Sequence, residues 1–261
     1  MTFMQKVSTS IIASVSLIGC SSVNTIERGN FGDFQRSLNN KSHGYTLVED
    51  PLLESGSQAL VERFEVRYGD CASNQDWNDC KKDRERSELS ERRKATHNGD
   101  QYWYGWQIYF PDNYTNIYPT KVALGQFHQE NSYPVWMFQN ADGGYFLDDQ
   151  VWGGTRKLYP LISEDDLRGK WHKIELDVKW SRDDNGWFRV WVNGEQKVDY
   201  SGQTMEANAV YFKYGIYRSF LERYRIRYSK TMKPTKDDIV PTQTIFYKNV
   251  SRASRREDLL H

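Results

Sequence analysis

Apolar and polar residues alternate along much of the chain, and the alternation predicts strands. Trp171 to Trp180 (WHKIELDVKW) places Ile174, Leu176, Val178 and Trp180 on one side, and Lys173, Glu175, Asp177 and Lys179 on the other. That is the period-two pattern of a half-buried strand, and it predicts solvated carboxylates at Glu175 and Asp177. Asp184-Asn185-Gly186 then turns the chain into 187–192, and Asn193-Gly194 is a tight-hairpin signal. Ala59 to Tyr68 alternates less perfectly, with Leu60, Glu62, Phe64 and Val66 together. Gln101 to Phe110 (QYWYGWQIYF) is a dense aromatic run closed by Pro111-Asp112-Asn113, a turn signal. Further strands are expected over 121–128, 134–139, 144–152, 208–218 and 243–248; only 163–170 and 235–240 suggest short helical turns. Many short strands with no long amphipathic helix predict an all-β, antiparallel β-sandwich without internal repeat or second domain.

Composition narrows the function classes. Aromatic residues make up 15% of the chain, and flat rings suit both sheet packing and sugar binding. Lys plus Arg and Asp plus Glu are equal at 35 each, so no global field draws a polyanion, and an acidic ligand must meet a local basic cluster. The balance gives no reason to expect nucleic acid as a partner, and a single domain is expected to act as a monomer.

The N-terminus predicts export. Lys6 precedes a short apolar run over 11–19, too short to span a bilayer as a stable helix. Leu17-Ile18-Gly19-Cys20 resembles a bacterial lipoprotein signal, with Cys20 as the lipidated first residue of the mature protein. Ser21 after it points to the outer membrane. The expected organisation is a signal over 1–20, a flexible polar tether over 21–50 and one domain over 51–261. Cys71 and Cys80 then remain as a pair, which predicts a small disulfide loop in an oxidising compartment.

Three segments interrupt apparent core strands with polar side chains. In Arg84-Glu85-Arg86-Ser87-Glu88-Leu89, alternation puts Arg84, Arg86 and Glu88 on one face, and a solvated charged edge is the plainer expectation. In Gly125-Gln126-Phe127-His128-Gln129, Gln126 and His128 share a face while Phe127 points inward. In 210–218, Tyr211, Lys213, Gly215 and Tyr217 share the face opposite Val210, Phe212, Tyr214 and Ile216; Gly215 there suggests an open floor for a ligand. Together these supply bases, an acid, an amide and cations. Elimination at a uronate needs that set: the C5 proton beside a carboxylate is barely acidic, so the carboxylate must be neutralised, C5 deprotonated and O4 protonated.

The same three segments resemble the signature strands of the jelly-roll (concanavalin-like) polysaccharide lyases, a group that includes alginate lyases, glucuronan lyases and heparin lyase I. Tyr104 to Pro111, Gly169-Lys170-Trp171-His172 and Val190 to Gly194 are similar to the heparin lyase I and glucuronan lyase branch, and the similarity runs from about residue 60 to 250. The resemblance implies His128 as base and Tyr217 as acid, with Arg86, Gln126 and Lys213 at the substrate carboxylate, and Glu88 and Tyr211 among the substrate-binding residues. It implies an acidic polysaccharide as substrate and no cofactor for the reaction. Members of this branch often hold a structural calcium, for which the chain shows no compact acidic loop. Two other readings use the same fold. A non-catalytic glycan-binding lipoprotein would need no proton-transfer pair, and a glycoside hydrolase would need two carboxylates flanking the bond.

Overall fold

The computed structural model describes residues 33–39, 41–54, 56, 59–91, 95–151, 157–229, 233 and 239–260. Fifteen strands among them form two sheets, with every strand pair antiparallel. The first sheet runs in the order β1 (Phe34–Arg36), β4 (Arg84–Glu91), β14 (Ala209–Ser219), β7 (Lys121–Gln129), β8 (Pro134–Ala141), β9 (Gly144–Asp149) and β10 (Leu158–Ile162), with short β5 (Thr96–His97) pairing β14. The second runs β13 (Glu195–Ser201), β12 (Trp187–Val192), β11 (Trp171–Lys179), β6 (Gln101–Tyr109), β15 (Gln243–Ala253), β3 (Leu60–Val66) and β2 (Tyr45–Glu49). Helices are few: α1 (Glu164–Leu167) and α2 (Leu221–Tyr228).

The alternation fills the space between the sheets. Ile174, Leu176, Val178 and Trp180 are fully buried, as are Phe127 and Ile216 from the facing sheet. Much of the aromatic content meets here: the Phe127 ring contacts Tyr104, Trp180, Phe188 and Phe212, and Trp106 stands edge-on to Phe138 at 4.9 Å. Such offset and edge-to-face pairs add to the area they bury. The hairpin signal is realised as well: Asn193 and Gly194 take φ of 51° and 86° between β12 and β13, which only residues tolerant of left-handed backbone do cheaply.

Several expectations are corrected. The tether over 21–50 gives way to structure from Asp33 on: β1 and β2 are sheet members, and Phe34 packs edge-on against Tyr214. Polar composition hid short strands that need only one inward ring each. Glu175 and Asp177 are buried rather than solvated, covered by Lys173 and Arg256 over one and Arg189 over the other. Arg84–Glu91 is an interior strand between β1 and β14, not a charged edge. Helix α2 was not anticipated, while most of the turn expected over 235–240 lies outside the described residues. Gly215 is no open floor: a Cβ there would meet the Ser87 carbonyl oxygen at 2.4 Å and Phe64 Cδ1 at 2.8 Å. Its φ of +123° sits at a register shift in β14, so glycine serves the close approach of strands inside the sandwich.

Candidate active site

Strands β4, β14 and β7 lie side by side in the first sheet, and their register assembles the polar residues singled out above. Tyr217 stands opposite Arg86, Lys213 opposite Gln126, and Tyr211 opposite His128. Their inward neighbours Leu89, Phe212, Tyr214, Ile216 and Phe127 are core, so the polar set projects from the outer face. There it lines a cleft of about 800 Å³, with Arg84, Arg86, Gln126, His128, Tyr211, Lys213 and Tyr217 on its wall and Trp77 at its rim.

Glu88 organises the floor. Its carboxylate receives Lys213 Nζ at 2.8 Å, Gln126 Nε2 at 2.5 Å and Arg86 Nη1 at 3.4 Å. Arg86 is also clamped by Asp79 through two bonds of 2.7 Å, the bidentate geometry that makes arginine–carboxylate pairs directional. Two cations therefore face two carboxylates, all of them largely buried. Glu88 itself is buried behind the cleft lining, where it holds Lys213, Gln126 and Arg86 in place. Burial pushes the Lys213 ammonium below its usual range, with Glu88 opposing. For Arg86 burial also pulls down, but Glu88 and Asp79 outweigh it and hold the guanidinium above its usual range. The Gln126 Oε1 atom is buried without a partner among the described residues.

His128 and Tyr217 occupy different parts of this cleft. His128 Nδ1 lies 2.8 Å from the Gln129 carbonyl, which can only accept, so Nδ1 carries the hydrogen and Nε2 the lone pair. The Tyr211 ring stacks on the imidazole at 5.3 Å, its hydroxyl 3.2 Å from the same nitrogen. Burial, then the Lys213 charge, push His128 down to about 4, so the ring is neutral above that pH. The Tyr217 hydroxyl accepts a 2.7 Å bond from Arg84 Nη1, and the Arg86 guanidinium carbon sits 4.3 Å from its ring centroid. Burial raises the Tyr217 phenol above its usual range against the pull of both arginines, which keeps it protonated. Tyr217 pairs with Ala123 and Tyr211 with His128, so the two attachment points are offset by five residues of β7, about 16 Å at strand rise. No contact joins the two side chains.

Three residues that sequence reasoning left unassigned complete the site: Asp79, Trp77 and Arg84. Cys71 and Cys80 are disulfide-bonded with Cα atoms 5.1 Å apart, and the closed loop carries Asp79 to Arg86. Trp77 Nε1 donates to Asp79 Oδ1 at 2.7 Å, which fixes the indole at the cleft rim. Nothing in the spacing of Asp70, Asp76 and Asp79 distinguishes the one that meets Arg86. Cys71→Ser with Cys80→Ser should cost roughly 2–3 kcal/mol of stability, the chain-entropy value for so short a loop. It should also raise KM by loosening Arg86. Thermal melts and steady-state kinetics of the double variant check this; an unchanged melting temperature and KM would contradict it.

Among the described residues no group of three or more His, Cys, Asp or Glu is placed to hold a metal ion.

The polysaccharide lyase family matches residues 26–251 of the chain. A search of curated proteins found no match. Solved structures share the fold. An endo-β-1,4-glucuronan lyase from the fungus Trichoderma reesei is 15% identical with a TM-score of 0.59, covering 86% of this chain and 92% of its own. A family 7 alginate lyase in complex with product is 11% identical with a TM-score of 0.56, covering 85% and 95%. An alginate lyase from Pseudomonas aeruginosa is 15% identical with a TM-score of 0.51, covering 83% and 88%. A family match over most of the chain, on a sandwich whose outer face gathers acid–base and cationic side chains, identifies this protein as a member of the polysaccharide lyase family and an enzyme of that class.

Proposed function

We propose that the protein cuts a 4-linked, uronate-containing acidic polysaccharide by β-elimination. The sugar ring to be cut lies between His128 and Tyr217, with its carboxylate against the cleft-facing edges of Lys213 and Arg86 and the Gln126 amide. Their counter-charges, Glu88 and Asp79, stay behind them. Neutralising the carboxylate makes the C5 proton removable. His128 Nε2 takes that proton, the C5–H electrons form the C4=C5 double bond, C4–O4 breaks, and O4 takes the Tyr217 proton. One fragment ends in an unsaturated uronate and the other in a new hydroxyl. Arg84, already bonded to the Tyr217 oxygen, stabilises the phenolate that this step leaves. Where H5 and O4 lie on the same ring face, Tyr217 can serve as both base and acid once its own proton has gone to solvent: the phenolate takes H5 and then passes that proton to O4.

The observation that carries this reading is the lining of the cleft: cations, an amide, an imidazole and phenols, with no Asp or Glu among the described residues. A glycosidase needs two carboxylates at the bond, and Glu88 and Asp79 are both consumed in ion pairs. The lyases of similar fold are named for glucuronan and alginate, which are uronate polymers. The test is to incubate the enzyme with polyglucuronate, alginate and heparin-type chains and follow absorbance of the unsaturated product. No absorbance from any of them, with binding retained, would support a non-catalytic glycan-binding role instead.

Export belongs to the same proposal. Cys20, outside the described residues, would carry the lipid that holds the mature enzyme at the outer membrane. Cys20→Ala should release it from the membrane fraction or leave the precursor unprocessed. Fractionation and migration identical to wild type would contradict a lipid anchor.

A further inference from the structure

The cleft continues past Tyr217 to two arginines whose charge nothing in the described structure balances. Arg84 gives Nη1 to the Tyr217 hydroxyl at 2.7 Å and Nε to the Lys82 carbonyl at 3.4 Å, while Nη2 has no partner among the described residues. Arg223, on the first turn of α2, makes no side-chain hydrogen bond or ion pair among them; its guanidinium lies 4.3 Å from the Phe220 ring centroid. Arg84 lies 5.2 Å from the centroid of that same ring. Neighbouring cations are treated differently: Arg86 has Asp79, Lys213 has Glu88, Lys121 has Asp148 and Arg225 has Asp83.

Phe220 holds the pair together. Its backbone takes a left-handed φ of 63°, unfavourable for a bulky residue, and is fixed there by bonds from its N–H to the Asp83 carbonyl and from Thr120 Oγ1 to its own carbonyl. The ring is thereby presented at the cleft wall, 38% exposed, with a guanidinium near it from each of two elements. Two like charges against one aromatic ring repel each other unless an anion comes between them. Arginine forks favour a carboxylate for that role.

We infer that Arg84, Arg223 and Phe220 form a second carboxylate subsite that receives the sugar leaving with O4, so that the preferred polymer carries uronates on consecutive residues. The inference rests on the elimination reading above. Arg84 touches the hydroxyl that protonates O4, and the sugar joined through O4 is therefore the one nearest the two guanidinium groups. A polymer that alternates uronate with a neutral amino sugar would leave both charges unmet.

The test uses Arg223, which is exposed and does not touch Tyr217, so its replacement should not disturb the fold. Wild type, Arg223→Ala and Arg223→Lys would be assayed for unsaturated product on polyglucuronate and alginate. The same three would be assayed on an unsulfated polymer alternating glucuronate with N-acetylglucosamine, and on its sulfated form. Wild type should prefer the consecutive uronates, and Arg223→Ala should raise KM on them roughly tenfold, as for loss of a charged hydrogen bond, with a far smaller change in kcat. Arg223→Lys should recover part of the loss. An unchanged KM for Arg223→Ala, or equal cleavage of the unsulfated alternating polymer by wild type, would overturn the subsite. An Arg223-dependent preference for the sulfated alternating polymer would overturn its assignment to a carboxylate. No product from any polymer with wild type would instead sink the elimination reading, and the subsite with it.

Discussion

Tyr217→Phe should lower turnover by at least roughly 10²–10⁴-fold, the range for a positioned acid–base group, while the protein stays folded. The change removes one oxygen, and among the described residues that oxygen is bonded only to Arg84. The ring keeps its place against Ala123 and Met137 on the outer face of the first sheet. In the proposed elimination, what is lost is the proton for O4, and for same-face substrates the base as well. Arg84 Nη1 loses its acceptor at the edge of the cleft, where solvent can replace it. Near-normal rates from a variant that melts like wild type would mean that another group protonates O4.

His128→Ala should have an effect of the same size on substrates whose H5 and O4 lie on opposite faces, and a smaller one where Tyr217 does both jobs. The pH profile carries independent information. His128 accepts a proton only when neutral, and burial with the nearby Lys213 charge places its pKa at about 4. Activity in kcat/KM should therefore hold down to about pH 4 and fall as His128 becomes charged below it, well under the ordinary imidazole range near 6.5. A substrate carboxylate seated on Lys213 and Arg86 offsets the charges that depress the ring, so the limb in kcat should lie above the limb in kcat/KM. A single limb at the ordinary imidazole value in both parameters would contradict the buried, cation-flanked setting of this base.

The strands that build the site were legible for a simple reason: alternation is local. Val210 to Tyr217 and Gly125 to Gln129 declare which side chains face out without reference to any other strand. That these strands lie next to β4 is a long-range fact, and only the family resemblance supplied it. The fates of the charges were legible least. Glu88 and Arg86 share a face by spacing, but that Glu88 would be engaged by two further partners depends on Lys213 and Gln126 arriving from two other strands. Asp79 reaches Arg86 from a loop that the disulfide closes, a contact between segments that spacing does not declare. Gly215 looked like a ligand floor because alternation puts it between Lys213 and Tyr217 on one face; the contact it permits, with Ser87 and Phe64, is invisible until β4 and β3 are in place. Helix α2 was missed because it is short and rich in arginine, with only Leu221 buried.

We propose that this enzyme breaks its polymer by elimination. The most direct test counts two products of one digest: new reducing ends, and unsaturated uronate ends by their absorbance. Elimination makes one of each per cut, so the two should rise together in equal amounts with wild type and fall together in Tyr217→Phe. Reducing ends that accumulate without matching absorbance would show that water, not a C5 proton, is consumed at the bond, and the mechanism built on His128 and Tyr217 would be wrong.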